Sequence, residues 1–584
     1  MNISAQTRFL SLASALAALL FAQTAADARE ARYPETGDGR VAQRLVTASE
    51  YMVSSANPYA SEAGMRILAR GGNAADAAVA VQMVLNLVEP ESSGIGGGAF
   101  ALHWDNANRK LASYDGRETA PMAADGKLFE QQGEPMNWWE ALAGGRAVGV
   151  PGVVALLEKI HKQHGRLPWA ELFEDAIRLA EEGFEVSPKL ARSIANGTNP
   201  ALGRYDAAWN YFFPDGRPLA GHSIKKNPQL AMTFRRIALL GAKGFYKGQI
   251  ALDIVAAVRA AGDNPGLLTI EDMVGYEAKE RPPVCADYKA HRVCGMGPPT
   301  SGGMTVIQML KLLEGRELAR FPPLSVEAAH LFTQAGRLAY ADRAKYMADA
   351  DFVTVPVEGL IDAGYLGQRA ALIGERDMGA APAGTPPDAD RNWKAASSPE
   401  QPGTTHFSIV DGEGNGFSMT SSIEMAFGST LMVHGFLLNN QLTDFSFAET
   451  REGELVANRV QPGKRPRSSM SPFMVFDGDG RLRMLIGSPG GSRIINYVAK
   501  TMLGVLEWKL DIQSAISLPH YVNRNGTTDL EQHTAAVDLQ PGLEALGHKV
   551  SVRDLNSGLH GIVITDEGLQ GGADPRRVGQ VLGK

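Results

Sequence analysis

An abrupt change of composition at residues 379–403 constrains the fold of this chain more than any other sequence feature. Five prolines lie within this stretch, which has hardly any large apolar side chain. Directly after it the strand pattern 404–410 begins, and residues 411–415 predict a turn into a returning strand at 416–423. We therefore expect an exposed, flexible linker over 379–403 that ends at a hairpin beginning with Thr404-Thr405.

The N-terminus has the pattern of an export signal. Arg8 precedes an apolar run at 9–21, and a polar stretch ends in Ala26-Asp27-Ala28. This order predicts a signal peptide over 1–28 that is removed after Ala28. The apolar run is shorter than the ~20 residues that span a bilayer. We expect export to the periplasm, or secretion from a host without an outer membrane, and no membrane span in the mature protein.

Charge and cysteine content exclude several classes of protein. The net charge of −7 argues against nucleic acid as a partner. Two cysteines are too few for a disulfide scaffold or a thiolate metal cluster. Cys285 and Cys294 would face each other if Lys289-Ala290 is a hairpin turn, which allows either a disulfide or two buried thiols. His161 and His164 share a helical face but have no further ligands near them, so we expect both to be solvated and to bind no metal.

Two helices and a glycine turn are predicted near the start of the mature chain. Residues 61–70 predict a helix that stops at Gly71-Gly72, and Asn73 can cap a second helix over 74–88. The second helix is apolar almost all round, which is typical of a buried helix. The glycines of 94–98 precede a strand instead of following one, so they favour a tight turn and not a dinucleotide site.

Thr404 becomes a candidate nucleophile only if the chain is cut before it. Its own α-amino group, with a pKa near 7.7–8.0, could then act as the base that a threonine hydroxyl needs. Two β-forming threonines at the start of a strand are otherwise unremarkable. Polar clusters at 439–445, 464–472 and 487–493 flank predicted strands, and the Gly-Gly of the last cluster could direct backbone N–H groups at an oxyanion.

Together these segments resemble the γ-glutamyltransferase family. The motifs are TTHFSIVD, LLNNQxxDF, KRPRSSMSP and GSPGGSRI, with GGNAADAAVA, GIGGGAF and DGRETAP upstream. The resemblance runs from about Met52 to about Trp508. It implies an α+β protein with the four-layer αββα sandwich of N-terminal nucleophile hydrolases. It also implies one precursor that cuts itself into a large subunit, 29–403, and a small catalytic subunit, 404–584.

The resemblance assigns catalytic roles to five positions. The self-cleavage would fall between Gly403 and Thr404, and Thr404 would then be the nucleophile. Ser422 matches a second hydroxyl residue that bonds to the nucleophile. Gly490 and Gly491 match the oxyanion-hole pair. The resemblance implies no metal and no organic cofactor, since the base is the new amine and the oxyanion hole is backbone.

Five further positions match residues that bind a free amino-acid head group. Arg117 matches the arginine that holds the substrate α-carboxylate, a task that suits its bidentate geometry. Ser468 and Ser469 match the hydroxyls that assist it, and Gln441 and Asp444 match groups that hold the α-ammonium. A γ-linked glutamate carries both groups free. The implied activity is γ-glutamyl hydrolysis and transfer, with glutathione and related compounds as donors and with water, amino acids or peptides as acceptors.

Two departures from the family pattern affect the expected specificity. Glu424 stands where an Asn is usual, and a second carboxylate beside Asp444 would favour an ammonium over a donor that carries only carboxylate. The segment 445–467 is shorter than a full lid loop and has no Tyr or Trp, which would leave the site open to water and bulky acceptors. A related acylase for glutaryl or cephalosporin side chains and a non-catalytic binding protein remain as alternatives.

Overall fold

Two seven-stranded antiparallel sheets form the centre of the molecule. The structure is a computed structural model that describes residues 40–262, 264–389, 393–396 and 403–584. The first sheet has the strand order Gln580–Gly583, Met52–Ser55, Thr404–Val410, Gly416–Ser422, Gly98–Asp105, Lys110–Gly116, Lys279–Arg281. The second has the order Val46–Ala48, Gly568–Ala573, His560–Thr565, Leu482–Gly487, Phe473–Phe476, His291–Gly295, Val284–Tyr288.

Helices cover the outer face of each sheet, so the predicted four-layer αββα sandwich is confirmed. On the first sheet, Phe407 and Ile409 pack in one apolar core with helices that include Ala74–Val88. On the second sheet, Phe473 and Val475 pack with a separate set of helices. A third, smaller core that includes Val410 lies between the sheets. Two stacked sheets bury both of their faces, which is why all seven residues of Thr404–Val410 are buried.

The α-helices and 3₁₀ helices alternate with these strands along the described residues. The α-helices are Pro58–Ala69, Ala74–Val88, Trp138–Leu142, Val153–His164, Glu174–Glu182, Pro188–Ala195, Asp206–Phe212, Pro228–Leu240, Lys243–Tyr246, Gln249–Arg259, Ile270–Gly275, Gly302–Leu313, Val326–Tyr346, Val357–Leu360, Ala363–Ala370, Ile494–Leu506, Ile512–Ser517 and Gln540–Ala545. The 3₁₀ helices are Trp169–Phe173, Pro214–Gly216, Glu314–Arg316, Leu318–Arg320, Gln441–Asp444, Gly491–Arg493 and Ala535–Leu539. None of these helices is long and apolar enough to cross a membrane.

Shorter strands form small sheets that are separate from the two large ones. They form the pairs Glu130–Gln131 with Glu134–Pro135, Phe184–Glu185 with Ile224–Lys225, Met432–Val433 with Phe436–Leu437, and Thr450–Arg451 with Glu454–Leu455. A three-stranded sheet contains Tyr521–Asn523, Thr528–Glu531 and Val550–Arg553. The pair that begins at Thr450 is all the regular structure within the short segment 445–467.

The two helices predicted near the start of the mature chain are present. The second spans Ala74–Val88 as expected, is buried on every side and has Asn73 at its N-cap. The first begins three residues before its predicted start. The Asn57 side chain accepts a hydrogen bond from the Tyr59 N–H, and Pro58 occupies the first helical position, where its missing N–H costs nothing.

The predicted linker is only partly exposed where the structure describes it. Residues 379–389 have no helix or strand, but Ala381 and Pro386 are buried. The Gly384 N–H donates to Asp342 Oδ1 at 2.8 Å, and the Tyr346 hydroxyl donates to the Gly384 carbonyl at 2.7 Å. The helix Val326–Tyr346 thus supplies partners that composition could not reveal. The predicted signal peptide, 1–28, lies outside the described residues.

A disulfide joins the edge strand of the second sheet to its neighbour. Cys285 lies opposite Cys294 in the antiparallel register, and their sulfur atoms are bonded. The turn falls at Lys289-Ala290, as the alternation of residues predicted. Of the two alternatives that the sequence left open, the structure therefore has the bridge and not two free thiols.

Replacing both cysteines by serine should lower the free energy of unfolding by about 2–3 kcal/mol. The bridge closes a short loop, with a sequence separation of 9, so it removes only a modest amount of entropy from the unfolded chain. Urea unfolding of the double variant and of the wild type, each with and without reductant, measures the difference. A wild-type midpoint that reductant leaves unchanged would contradict the expectation.

Candidate functional site

Thr404 and Ser422 are brought together by the pairing of two central strands. Thr404 begins one strand and Ser422 ends its antiparallel neighbour, so the register places them directly opposite each other. The Thr404 hydroxyl donates to Ser422 Oγ at 3.1 Å, and both side chains are buried. The Ser422 oxygen also accepts the backbone N–H of Glu424 at 2.8 Å. Two hydroxyls are therefore held in one hydrogen-bonded chain at the ends of two central strands.

The Gly403 carbonyl belongs to the same chain of hydrogen bonds. It accepts the Ser422 hydroxyl at 3.0 Å. A Cβ on Gly403 would lie 2.1 Å from the carbonyl oxygen of Glu424 and 2.6 Å from the carbonyl carbon of Met425. Because both contacts are with backbone, no side-chain movement could relieve them. Only glycine fits immediately before Thr404.

A small cavity opens at these hydroxyls. Nine of the residues predicted from the sequence line it, together with Met470 and Ile494, which were not predicted. The nine are Arg117, Thr404, Ser422, Glu424, Gln441, Asp444, Ser468, Ser469 and Gly491. They come from positions up to 374 residues apart in sequence, and only the packing of the sandwich brings them together.

Arg117 supplies the positive charge of the cavity. Its side chain is fully buried, and its Nη2 donates to Asp444 Oδ2 at 2.5 Å and to the Arg467 carbonyl at 2.9 Å. Its Nε donates to the Pro466 carbonyl at 3.2 Å. Nη1 is buried without a hydrogen-bond partner among the described residues. A buried, charged donor of this kind is costly unless an acceptor is added, so the cavity suits an anionic group beside Arg117.

Carboxylates stand next to Arg117. Asp444 lies at the end of the 3₁₀ helix Gln441–Asp444 and accepts Gln441 Nε2 at 2.7 Å as well as Arg117. Glu424 Oε2 accepts Asn440 Nδ2 at 2.6 Å. The Glu424 backbone has a φ of 77°, a conformation that is costly for a residue with a side chain and is found most often at functional sites. The cavity therefore presents negative charge beside its one arginine.

A glycine loop closes the cavity on the side of the second sheet. The strand Leu482–Gly487 leads into Ser488-Pro489 and then into Gly490 and Gly491, which have φ values of 135° and 57°. A side chain at either glycine would be strained. Gly491 lines the cavity, while Gly490 does not line it. The helix Ile494–Leu506 begins just beyond, and its N-terminal dipole adds positive potential near the hydroxyls.

Several residues that hold the site in place carried little signal in the sequence. Asn458 donates to the Asp444 carbonyl at 2.7 Å and accepts the Arg467 N–H at 2.9 Å, so it connects the backbone segments that carry these two residues. Arg343 donates to Ser469 Oγ at 2.7 Å from a distant helix. Asn440 stood within the motif LLNNQxxDF and could have been singled out there. Arg343 and Asn458 lie outside every motif.

His161 and His164 are not the solvated pair that the sequence suggested. The His161 Nε2 lies 2.9 Å from the Leu167 carbonyl oxygen. The His164 Nε2 lies 2.6 Å from the Tyr114 hydroxyl, and its ring stacks on His103 at 4.0 Å between centroids. Both rings are half-buried, and His164 packs between its helix and the first sheet. In the described part of the chain, no three metal-ligating side chains cluster as a metal ion would require.

This chain is similar to known proteins named glutathione hydrolase and acylase. The protein-family model described as Gamma-glutamyltranspeptidase matches residues 60–584. The glutathione hydrolase proenzyme of Bacillus subtilis (strain 168) is 35% identical over 545 residues, 91% of either chain. The acylase ACY 1 proenzyme of Pseudomonas sp. (strain SE83) is 31% identical over 551 residues, 92% of this chain and 94% of the relative.

A solved structure resembles the whole fold. The crystal structure of cephalosporin acylase from Bacillus halodurans superposes with a TM-score of 0.82 at 28% sequence identity. The superposition covers 94% of this chain and 99% of the acylase. Relatives named for two different acyl donors therefore share this architecture, and the contents of the cavity must distinguish between them.

Glu118 is a buried carboxyl next to the cavity that the sequence did not single out. Its Oε2 lies 3.6 Å from Arg117 Nη1, and neither of its carboxylate oxygens has a hydrogen-bond partner among the described residues. Burial raises the pKa of Glu118 to about 8, because the lost hydration outweighs the attraction of the Arg117 guanidinium. At neutral pH we therefore regard Glu118 as largely protonated, so that the short distance to Arg117 is not a full ion pair.

The protonation of Glu118 predicts a pH dependence of stability that Glu118→Gln should remove. Between the ordinary pKa of 4.5 and about 8, the folded protein holds a proton that the unfolded chain releases. The stability of the wild type should therefore fall as pH rises through this window, at about 1.4 kcal/mol for each pH unit from this group.

Thermal melting of both proteins from pH 5 to pH 9 tests this expectation. Any constant cost of burying the amide cancels, since only the trend with pH matters. The melting temperature of Glu118→Gln, relative to the wild type, should rise toward pH 8 and then level off. Parallel curves over the whole range would show that Glu118 is ionised throughout.

Proposed function

Because this chain belongs to the gamma-glutamyltranspeptidase family, we propose that it hydrolyses and transfers the γ-glutamyl group of glutathione and related compounds. Thr404 forms the acyl-enzyme, and water, amino acids or peptides accept the acyl group. The observation that carries this proposal is the contact between Arg117 and Asp444 inside the cavity. The α-carboxylate and the α-ammonium of a γ-linked glutamate sit on one carbon atom, so the groups that recognise them must also be neighbours.

The chain first cuts itself between Gly403 and Thr404. The Thr404 hydroxyl attacks the Gly403 carbonyl carbon, its proton passes to the departing Thr404 nitrogen, and the C–N bond breaks as an ester forms. Ser422 already donates to the Gly403 carbonyl oxygen, where negative charge develops during the attack. Water then hydrolyses the ester, which leaves a carboxylate on Gly403 and a free α-amine on Thr404.

The new amine is the base of the catalytic cycle. It takes the proton of the Thr404 hydroxyl as the oxygen attacks the γ-carbonyl of the donor, and it returns the proton to the leaving amine. Ser422 orients the hydroxyl through its hydrogen bond to Thr404. Backbone N–H groups of Gly490 and Gly491 stabilise the oxyanion, aided by the helix that follows. Attack by water or by an acceptor amine releases the acyl group.

Arg117 and Asp444 recognise the two charged groups on the α-carbon of the donor. The α-carboxylate binds Arg117 and the hydroxyls of Ser468 and Ser469, and the α-ammonium binds the side chains of Gln441 and Asp444. The Gln441 Oε1 atom is buried without a hydrogen-bond partner among the described residues, so an ammonium would satisfy it.

Maturation outside the cytoplasm completes the proposal. The signal-like segment 1–28 would direct export, and the periplasm of a host with an outer membrane would be the destination. The bridge between Cys285 and Cys294 supports an oxidising compartment, because such disulfides are rare in the cytosol.

A related acylase activity is the second candidate. Its support is the similarity to proteins named acylase, one of which shares the fold at a TM-score of 0.82. Against it stand the two carboxylates of Glu424 and Asp444 in the cavity. A donor that carries a carboxylate but no amine would face both of these charges without an ammonium to balance them.

Intact-mass analysis of the purified protein tests the self-cleavage. The wild type should give two pieces of about 40 and about 19 kDa, in proportion to the 62.4 kDa of the full chain. The smaller piece should begin at Thr404. Thr404→Ala should remain one chain because it lacks the attacking oxygen. Gly403→Ala should also be cut slowly or not at all, because its Cβ would displace the Glu424 backbone.

Folded but uncut wild-type protein would overturn this mechanism, since the base would be missing. Gly412→Ala is the matched control for Gly403→Ala. Gly403 lies just before the strand Thr404–Val410, and Gly412 lies just after it. A Cβ on Gly412 would have open space around it. It should be cut at the wild-type rate.

Donor analogues test the specificity. The wild type should cleave γ-glutamyl-anilide at least about a hundredfold faster, in kcat/KM, than glutaryl-anilide, which lacks the α-amine. Glu424→Gln removes one of the two charges, so we expect kcat/KM for the γ-glutamyl donor to fall about tenfold, an effect typical of a lost charged contact. The same variant should cleave the glutaryl donor faster than the wild type does.

Glu454→Gln is the control for this change of charge, because Glu454 lies on the exposed strand Glu454–Leu455 outside the cavity. Its activity toward both donors should match the wild type. Faster cleavage of the glutaryl donor by the wild-type enzyme would favour the acylase instead.

A further inference from the structure

We propose that Arg343 is a positioning residue for the α-carboxylate of the donor and acts through the hydroxyl of Ser469. This inference rests on the proposed function and assigns part of the donor specificity to the helix Val326–Tyr346. No motif in the sequence contains Arg343. It belongs to the large subunit, whereas Ser469 belongs to the small one.

Arg343 donates hydrogen bonds to two serine hydroxyls. Its Nη2 donates to Ser469 Oγ at 2.7 Å, and its Nε donates to Ser301 Oγ at 2.7 Å. All three side chains are buried. Hydrogen bonds from a guanidinium are stronger than those between neutral groups, and the planar arrangement of its donors fixes the relative positions of both acceptors.

Ser301 connects Arg343 to the backbone of residues 467–469, the segment that contains Ser468 and Ser469. Its N–H and its hydroxyl both donate to the Ser468 carbonyl, at 2.8 Å and 2.6 Å. The Arg343 carbonyl also accepts Arg467 Nη1 at 3.2 Å. The stretch 467–469 is therefore held from the large subunit at three consecutive residues. Arg117 donates to the Arg467 carbonyl of the same stretch, so the two arginines are fixed relative to each other.

The direction of the hydrogen bond gives Ser469 its function. The guanidinium fixes the position of the hydroxyl oxygen that accepts from it, and its positive charge polarises that hydroxyl. Ser469 lines the cavity together with Arg117. Arg343 thus holds the polarised Ser469 hydroxyl beside the place where the donor α-carboxylate binds, without touching the substrate itself.

The helix that carries Arg343 also contacts the segment that follows Gly490 and Gly491 in the glycine loop. Tyr340, one turn earlier, donates a short hydrogen bond to the Ser492 carbonyl and accepts Asn496 Nδ2 at 2.9 Å. The Arg343 guanidinium lies 5.7 Å from the centre of the Tyr340 ring. One helix therefore sets the distance between the carboxylate end of the cavity and the glycine loop near Thr404.

Kinetics with three anilide donors test the role of Arg343. The γ-glutamyl donor has both head groups, the glutaryl donor has only the carboxylate, and the 4-aminobutyryl donor has only the amine. Arg343→Met should raise KM by about tenfold to a hundredfold for the two donors that carry the carboxylate, with kcat changed less than about threefold. For the 4-aminobutyryl donor, kcat/KM should stay within about twofold of the wild type.

Arg343→Lys should recover most of the lost affinity, because lysine keeps the charge and can donate to one of the two hydroxyls. Arg337→Lys is the matched control. Arg337 lies on the same helix, is also buried and pairs with Asp377 at 2.7 Å. Its variant should leave KM for all three donors unchanged. Intact mass and thermal melting confirm that each variant is cut and folded.

Equal losses for all three donors, a loss confined to kcat, or a Lys variant as weak as the Met variant would overturn the assignment. Slow donors are followed by single-turnover acylation at high enzyme concentration, so that every donor gives a rate. Failure of the proposed function looks different, since the wild type itself would then not cleave the γ-glutamyl donor.

Discussion

The pairing of Thr404 with Ser422 is the constraint on which the site depends. Two central strands of the first sheet place these hydroxyls opposite each other, and Gly403 fits against the backbone of residues 424–426 only because it has no side chain. A slip of one residue by either strand would turn its hydroxyl to the other face of the sheet, into the apolar core beneath the helices. The buried neighbours Phe407 and Ile409 prevent such a slip, because they occupy that core.

Arg117, Asp444 and Glu424, which we call the head-group cluster, depend indirectly on the same register. Ser422 leads into Glu424, and the Glu424 carboxylate is held by Asn440, next to the 3₁₀ helix that carries Asp444. Asp444 in turn meets Arg117, which is 327 residues away in sequence. Arg117 and Asp444 stabilise each other, and removal of either one would take that partner from the other buried charge. The cavity is therefore a single cooperative unit built on the two strands.

The sequence predicted much of this arrangement, because the polar residues of the site lie at the ends of strands and within short motifs. The four layers, the buried helix Ala74–Val88 and the hairpin that begins at Thr404 followed from periodicity and resemblance. The contacts of Arg343 and the burial of Glu118 did not. A buried arginine or carboxyl within a helix or loop looks like any surface residue until the fold shows what lies beside it. The partly buried linker was missed for the same reason, since its partners are on a distant helix.

The contacts around Gly403 also explain how one cavity could serve two reactions. In the uncut chain, Ser422 donates to the Gly403 carbonyl, and this carbonyl occupies the place beside Thr404 that a donor carbonyl would need later. Arg117, Asp444 and Glu424 are already in position, because none of their hydrogen bonds given above involves Gly403. Departure of the new C-terminus would vacate the acyl position and create the amine, while the head-group cluster stays as it was. Self-cleavage of this kind needs local movement at one peptide bond and no reorganisation of the sheets.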